Sequence, residues 1–139
     1  MDKKTAIITA AEWWANKVMR RQRHDNGAKD PENRMAMHLA DLLARPANAG
    51  QGAVFLKELT AGITEAMLQR DWLNLEVDYG PCPILAEAAR VAGVNVLAFP
   101  FKHAMQICPA AEAGEYIVSV QEGYGAAWRE LEPVGTENA

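Results

Sequence analysis

Apolar residues recur at helical spacing through the first half of the chain and alternate or run together through the second. Trp14 and Val18 lie one turn apart, with Ala10 and Ala11 a turn earlier, which predicts a helix with one apolar face. Thr9-Ala-Ala-Glu12 fits a capping box and places the start of that helix at Thr9. Its end is expected near Arg23, with Arg20, Arg21 and Arg23 in the last turn, where cations suit the helix dipole. Asp25-Asn26-Gly27 reads as a turn. A second helix starts at Asp30-Pro31-Glu32, with aspartate as N-cap and proline at the first helical position. Met35, Leu39, Leu42 and Leu43 continue it, and Arg45-Pro46 ends it, because a residue before proline avoids the α region. A third helix is expected over 53–70, with Phe55, Leu56, Leu59, Ile63 and Met67 on one side.

The pattern then changes period. Over 72–78, Leu73, Leu75 and Val77 alternate with polar residues, which predicts a half-buried strand. Tyr79-Gly80-Pro81-Cys82-Pro83 is a turn, and a short helix over 84–92 is closed by Gly93. The apolar run 94–99 has strand length, so strand, helix and strand read as one βαβ unit with a right-handed parallel crossover. Three further short strands are expected at 103–108, 116–121 and 127–131. Helices first and strands second define an α+β fold, with three N-terminal helices packed on one face of a small mixed β-sheet containing that βαβ unit. Residues 1–132 are expected to form a single α+β domain, and 133–139 a flexible C-terminal tail.

Composition narrows the classes. The 139 residues suffice for one domain with a sizeable core. No run approaches the roughly 20 apolar residues of a membrane span, so no membrane partner is expected. The two cysteines, Cys82 and Cys108, make neither a disulfide framework nor a zinc quartet. With no export signal at the start of the sequence, this points to a cytoplasmic protein. The formal net charge of −4 hides an asymmetry. Residues 1–70 hold 11 Lys/Arg against 8 Asp/Glu, and residues 71–139 hold 3 against 10. The acidic half disfavours nucleic acid as a partner. His24, His38 and His103 are scattered, no carboxylate pair is spaced for a cation, and no phosphate-binding or nucleophile motif occurs. No metal and no cofactor is therefore expected.

Candidate chemistry gathers in short segments of the second half. Asp78-Tyr79-Gly80 sits at the carboxyl end of a strand and before a helix, the edge where open α/β units bind ligands. Phe101-Lys102-His103 places an aromatic, a cation and an imidazole together, and Lys102 is the only lysine of the acidic half. Tyr124, in Gly123-Tyr124-Gly125, offers an aromatic on a mobile-type connection. Each also has a structural account: a capped turn, a strand corner with a solvated lysine, a hairpin connection. Cys82 precedes a helix, where a thiol pKa can fall, but a small packed thiol explains it as well. Of the adjacent Trp13 and Trp14, about 100° apart on a helix, Trp14 is expected inward and Trp13 at the boundary, available to an interface.

Val77-Asp-Tyr-Gly-Pro-Cys82, Ala86-Glu-Ala-Ala89, Ala92-Gly93-Val94, Phe99-Pro-Phe-Lys102, Met105 and Gly123-Tyr-Gly-Ala126 resemble small accessory proteins of bacteriophages and gut bacteria, over about residues 70 to 130. The resemblance carries no established activity. It implies a role as an inhibitor or ligand-sequestering protein directed at host defence. The expectation is thus a non-catalytic binding protein for a small anionic or nucleotide-like ligand. Lys102 would neutralise the anion, Tyr79 or Tyr124 would stack on a ring, and Asp78 would orient a hydroxyl or amine. Two alternatives stay open. One is an inhibitor of a host protein acting through an acidic or aromatic surface. The other is a small enzyme using Cys82 or His103. Homo-oligomerisation is left open as well.

Overall fold

The first helix, α1 (Lys3–Val18), begins at Asp2, whose carboxylate accepts from the Thr5 N–H at 2.7 Å. The structure is a computed structural model that describes residues 1–21, 34–36, 38, 39 and 43–135. The helix start expected at Thr9 is corrected: Thr9 lies inside α1, is buried, and accepts the Val134 N–H at 3.1 Å. Asp2 caps a run of helix-compatible residues, so the threonine is not needed at the end. The predicted end near Arg23 is also moved, because Met19 caps the helix and the Val18 carbonyl accepts the Ala47 N–H at 2.8 Å. The expected apolar face is present, with Ala10, Ala11, Trp14 and Val18 all buried. Of the second predicted helix, the described residues 34–36, 38, 39 and 43 are helical, and Met35, Leu39 and Leu43 are exposed. Its start at Asp30-Pro31, the turn at Asp25, Arg23, His24 and Leu42 lie outside the described residues.

The next helix, α2 (Ala49–Ala66), starts earlier than expected, because Asn48 and Gln51 form a capping box. Asn48 Oδ1 accepts the Gln51 N–H at 2.8 Å and Gln51 Oε1 accepts the Asn48 N–H at 3.1 Å. Gly52 lets this first turn approach the end of α1, since a Cβ there would run into the Met19 sulfur. Phe55, Leu59, Ile63 and, just beyond the helix, Met67 are buried. The shorter helix α3 (Pro83–Ala92) has proline in its first turn and ends at Gly93 in the left-handed region at φ 71°. It runs antiparallel to α2: Gln51 Nε2 donates to the Gly93 carbonyl at 2.9 Å, while Gly62 lies against Ile84.

Four strands, β1 (Leu73–Val77), β2 (His103–Pro109), β3 (Tyr116–Glu122) and β4 (Trp128–Glu130), pair in chain order. Every pairing is antiparallel. The α+β class therefore stands, but the mixed sheet and the βαβ crossover are corrected. The apolar run 94–99 is not a strand. Asn95 accepts the Leu97 N–H and bends the run into a single 3-10 turn, Val96–Ala98, which buries Ala98 and Phe99 in the core. Pro100 follows, and Lys102, at φ 61°, reverses the chain so that its N–H meets the Asp78 carbonyl at 3.1 Å. The chain thus re-enters the sheet beside the end of β1 it left, with Val77 opposite His103.

One sheet face presents Leu73, Leu75, Val77, Met105, Ile107, Val118 and Val120 to the helices. That face, α1, α2, α3 and the 3-10 turn share one hydrophobic cluster. Trp14, Phe55 and Phe99 sit at its centre, with ring centroids 6.3 Å apart for Trp14 and Phe99 and 5.7 Å for Phe55 and Phe99. α1 crosses β2 and β3, and α2 packs on α1 and α3. By alternation, the opposite sheet face carries Asn74, Glu76, Gln106, Ser119, Gln121 and Trp128. No helix among the described residues is long and apolar enough to cross a membrane.

Candidate functional site

Antiparallel register gathers most of the sequence-predicted residues at one end of the sheet. Val77, His103 and Glu122 lie in one row across β1, β2 and β3. The residues just beyond that row are Asp78, Lys102 and the β3–β4 connection that carries Tyr124. In the β1–α3 turn, the Asp78 N–H donates to the Gly80 carbonyl at 3.2 Å, and the Cys82 N–H returns to the Glu76 carbonyl at 2.9 Å. Tyr79 meets Phe101 edge to face, with centroids 5.6 Å apart. The Lys102 ammonium sits 4.4 Å from the centre of the Tyr79 ring and bonds the Asp78 carboxylate. That bond holds the Lys102 pKa above its ordinary value, and Tyr79 and Tyr124 add to the same effect. Tyr124 itself is 89% exposed. Asp78, Tyr79, Gly80, Phe101, Lys102 and Tyr124 therefore share one neighbourhood. Within it the lysine charge is already met by a carboxylate, so an arriving anion would compete with Asp78.

His103 does not join them. Alternation along β2 turns its side chain to the helical side, where its ring lies 6.2 Å from that of Trp13. Its Nδ1 is 2.9 Å from the Phe101 carbonyl oxygen. Burial pushes the imidazole pKa below its ordinary value, and the nearby Lys17 charge adds to this. The Phe101 carbonyl and Glu122 act the other way but do not prevail.

On that helical side a groove of about 400 Å³ lies between α1 and the β3–β4 edge. Thr9, Glu12, Trp13, Asn16, Lys17 and Arg20 form one wall, and Glu122, Arg129, Leu131, Glu132 and Val134 form the other. The helical wall arises because Thr9, Glu12, Trp13, Asn16 and Lys17 fall on one stripe of α1, next to the stripe buried in the core, and Arg20 follows just beyond the Met19 cap. Half-buried Trp13 meets Trp14 edge to face at 4.8 Å, with planes at 90°. Lys17 Nζ stands 4.9 Å from the Trp13 ring centre and donates to Glu122 Oε2 at 2.9 Å. Arg129 Nε donates to Glu122 Oε1 at 2.9 Å, and its Nη2 bonds the same oxygen. Burial alone would raise the Glu122 pKa, but the bonds from Lys17 and Arg129 outweigh it and hold the carboxyl below its ordinary value. Beyond β4, the Leu131 N–H donates to the Val118 carbonyl at 2.8 Å and the Val134 N–H to Thr9.

Sequence reading placed Trp13 at a boundary and missed Lys17, Glu122 and Arg129. The signal on the helix was present: Trp13, Lys17 and Arg20 recur at i, i+4 and i+7. Nothing in the sequence tied that stripe to Glu122 and Arg129, more than 100 residues away. The thiols of Cys82 and Cys108 are free and half-buried, and Cys82 is the N-cap residue of α3 without a side-chain capping bond. Among the described residues no three His, Cys, Asp or Glu side chains are grouped to hold a metal ion. No family model, no curated protein and no solved structure matches the chain.

Proposed function

We propose that the protein is a non-catalytic binding protein that sequesters a small anionic, nucleotide-like ligand in the groove between α1 and the β3–β4 edge. One observation carries this reading. An indole face and three cations, Lys17, Arg20 and Arg129, surround about 400 Å³, a volume within the range of small-molecule sites. Glu122 serves as the shared counter-anion of Lys17 and Arg129. A ligand phosphate or carboxylate takes over part of that role, with Trp13 as the stacking surface. Glu12 and Glu132 on the groove walls accept from amino or hydroxyl groups, which favours a ligand with donors over a simple inorganic anion. The turn cluster at Asp78 and Lys102 flanks the same end of the sheet and is the alternative seat for the ligand.

Isothermal titration of the full chain against a panel of nucleoside mono-, di- and triphosphates tests the proposal. Saturable heat is expected with at least one member. Loss of a charge-assisted bond in Arg129→Ala weakens that binding about tenfold or more, and Trp13→Ala weakens it as well. Binding that survives both variants but fails in Lys102→Ala places the ligand at the turn cluster and overturns the groove assignment. A panel that is silent throughout overturns the ligand class.

A further inference from the structure

Away from this site, the seam between α2 and α3 opens into a second groove, of about 410 Å³. Its floor is Gly62, Ala66, Pro83, Ile84 and Ala88, and its rim is Glu58, Glu65 and Glu87. Gly62 keeps the α2 side of the floor shallow, and a Cβ there would stand 3.4 Å from Ile84 Cγ2. The apolar strip continues along both helices. Val54 lies one turn before Glu58 and Val91 one turn after Glu87, and both are exposed. The antiparallel packing set by the Gln51–Gly93 bond brings these two valines to the same end of the seam. Two antiparallel helices with an apolar seam between them form the seat into which a third amphipathic helix packs.

The rim selects the sign of that helix. It carries three carboxylates and no lysine or arginine among its lining residues. Glu87 is engaged by Arg90 of its own helix, at 2.6 and 2.9 Å, so Glu58 and Glu65 carry most of the selection. The chain as a whole has a formal net charge of −4, which has the same sign as the rim and adds to its attraction for cations. We infer that the α2–α3 groove docks a basic amphipathic helix of a partner protein, its apolar stripe on Ile84, Ala88 and Gly62 and its lysines or arginines against Glu58 and Glu65. This surface is separate from the ligand groove, and its occupation does not depend on that reading.

The test uses the full chain and a designed amphipathic peptide of leucine and lysine, matched to the 18 residues of α2. A second peptide replaces each lysine with glutamate. Saturable binding of the lysine peptide, weakening with added salt, is expected from fluorescence anisotropy. The double variant Glu58→Lys/Glu65→Lys weakens it at least tenfold and accepts the glutamate peptide instead. A control, Glu112→Lys/Glu130→Lys, changes the net charge equally on the β2–β3 connection and β4 and leaves binding within about twofold. Amide chemical shifts move at Gly62, Ile84 and Ala88. The inference falls if the lysine peptide does not bind, if the control weakens it as much as the rim variant does, or if the shifts move elsewhere. Circular dichroism melts of both double variants verify that each is folded when measured.

Discussion

His103 shows how a single residue joins two surfaces. It is the first residue of β2, sequence analysis grouped it with Lys102, and strand alternation sends it to the opposite side. There it stands behind Trp13, within reach of Lys17, Glu122 and the Phe101 carbonyl. Burial lowers its pKa, so as pH falls the unfolded chain takes up the proton first. Its effect on stability is absent above the ordinary imidazole value of about 6.5 and becomes a loss as pH falls below it. The urea midpoint of the native protein is therefore expected to fall from about pH 7 to about pH 5, and His103→Gln is expected to flatten that fall. An equal slope in both proteins contradicts the account. Lys102 shows the complementary lesson. Sequence marked it as the one lysine of an acidic half, but its pairing with Asp78 follows from φ 61° and from register, which no local pattern contains.

At the scale of elements, helices were legible where one apolar face met a strong end signal. α3 begins and ends within a residue of expectation because proline and Gly93 punctuate it. α1 and α2 were placed late, by six and four residues, because Thr9-Ala-Ala-Glu12 imitates a cap and the Asn48 and Gln51 box sits among glycines that suggest a loop. Replacing Asn48 with alanine removes the side-chain acceptor for the Gln51 N–H. It is expected to cost about 1 kcal/mol in chemical denaturation without altering the fold. A value near zero means that the box contributes nothing to α2. The run 94–99 was misread as a strand because periodicity alone does not distinguish a buried strand from a buried turn. Asn95, bonding Leu97 N–H, decides between them.

For the whole molecule, the segregation of helices and strands was enough to give the α+β class, but not the direction of β2. Parallel pairing was expected because an intervening helix usually serves a crossover. Here the chain from Asp78 to Lys102 leaves and returns at the same end of the sheet, so the helix lies in a long hairpin excursion. Within that excursion α3 packs directly on α2, and Phe99 touches both Trp14 of α1 and Phe55 of α2. Phe99→Ala is expected to cost about 3–5 kcal/mol and to lower the helix signal and the tryptophan fluorescence signal in one coincident transition. Separate transitions would show that the helical layer and the sheet unfold independently. The edge-to-face pair of Trp13 and Trp14 has an optical consequence. Two indoles 4.8 Å apart are close enough for their electronic transitions to mix, and one of the pair lines the groove while the other is locked in the core. The far-ultraviolet circular dichroism spectrum of this protein is therefore expected to carry an exciton contribution beside its helix bands, one that Trp13→Phe removes. A molecule stacking on Trp13 would be expected to perturb that contribution, so the pair would serve as an intrinsic, label-free gauge of groove occupancy.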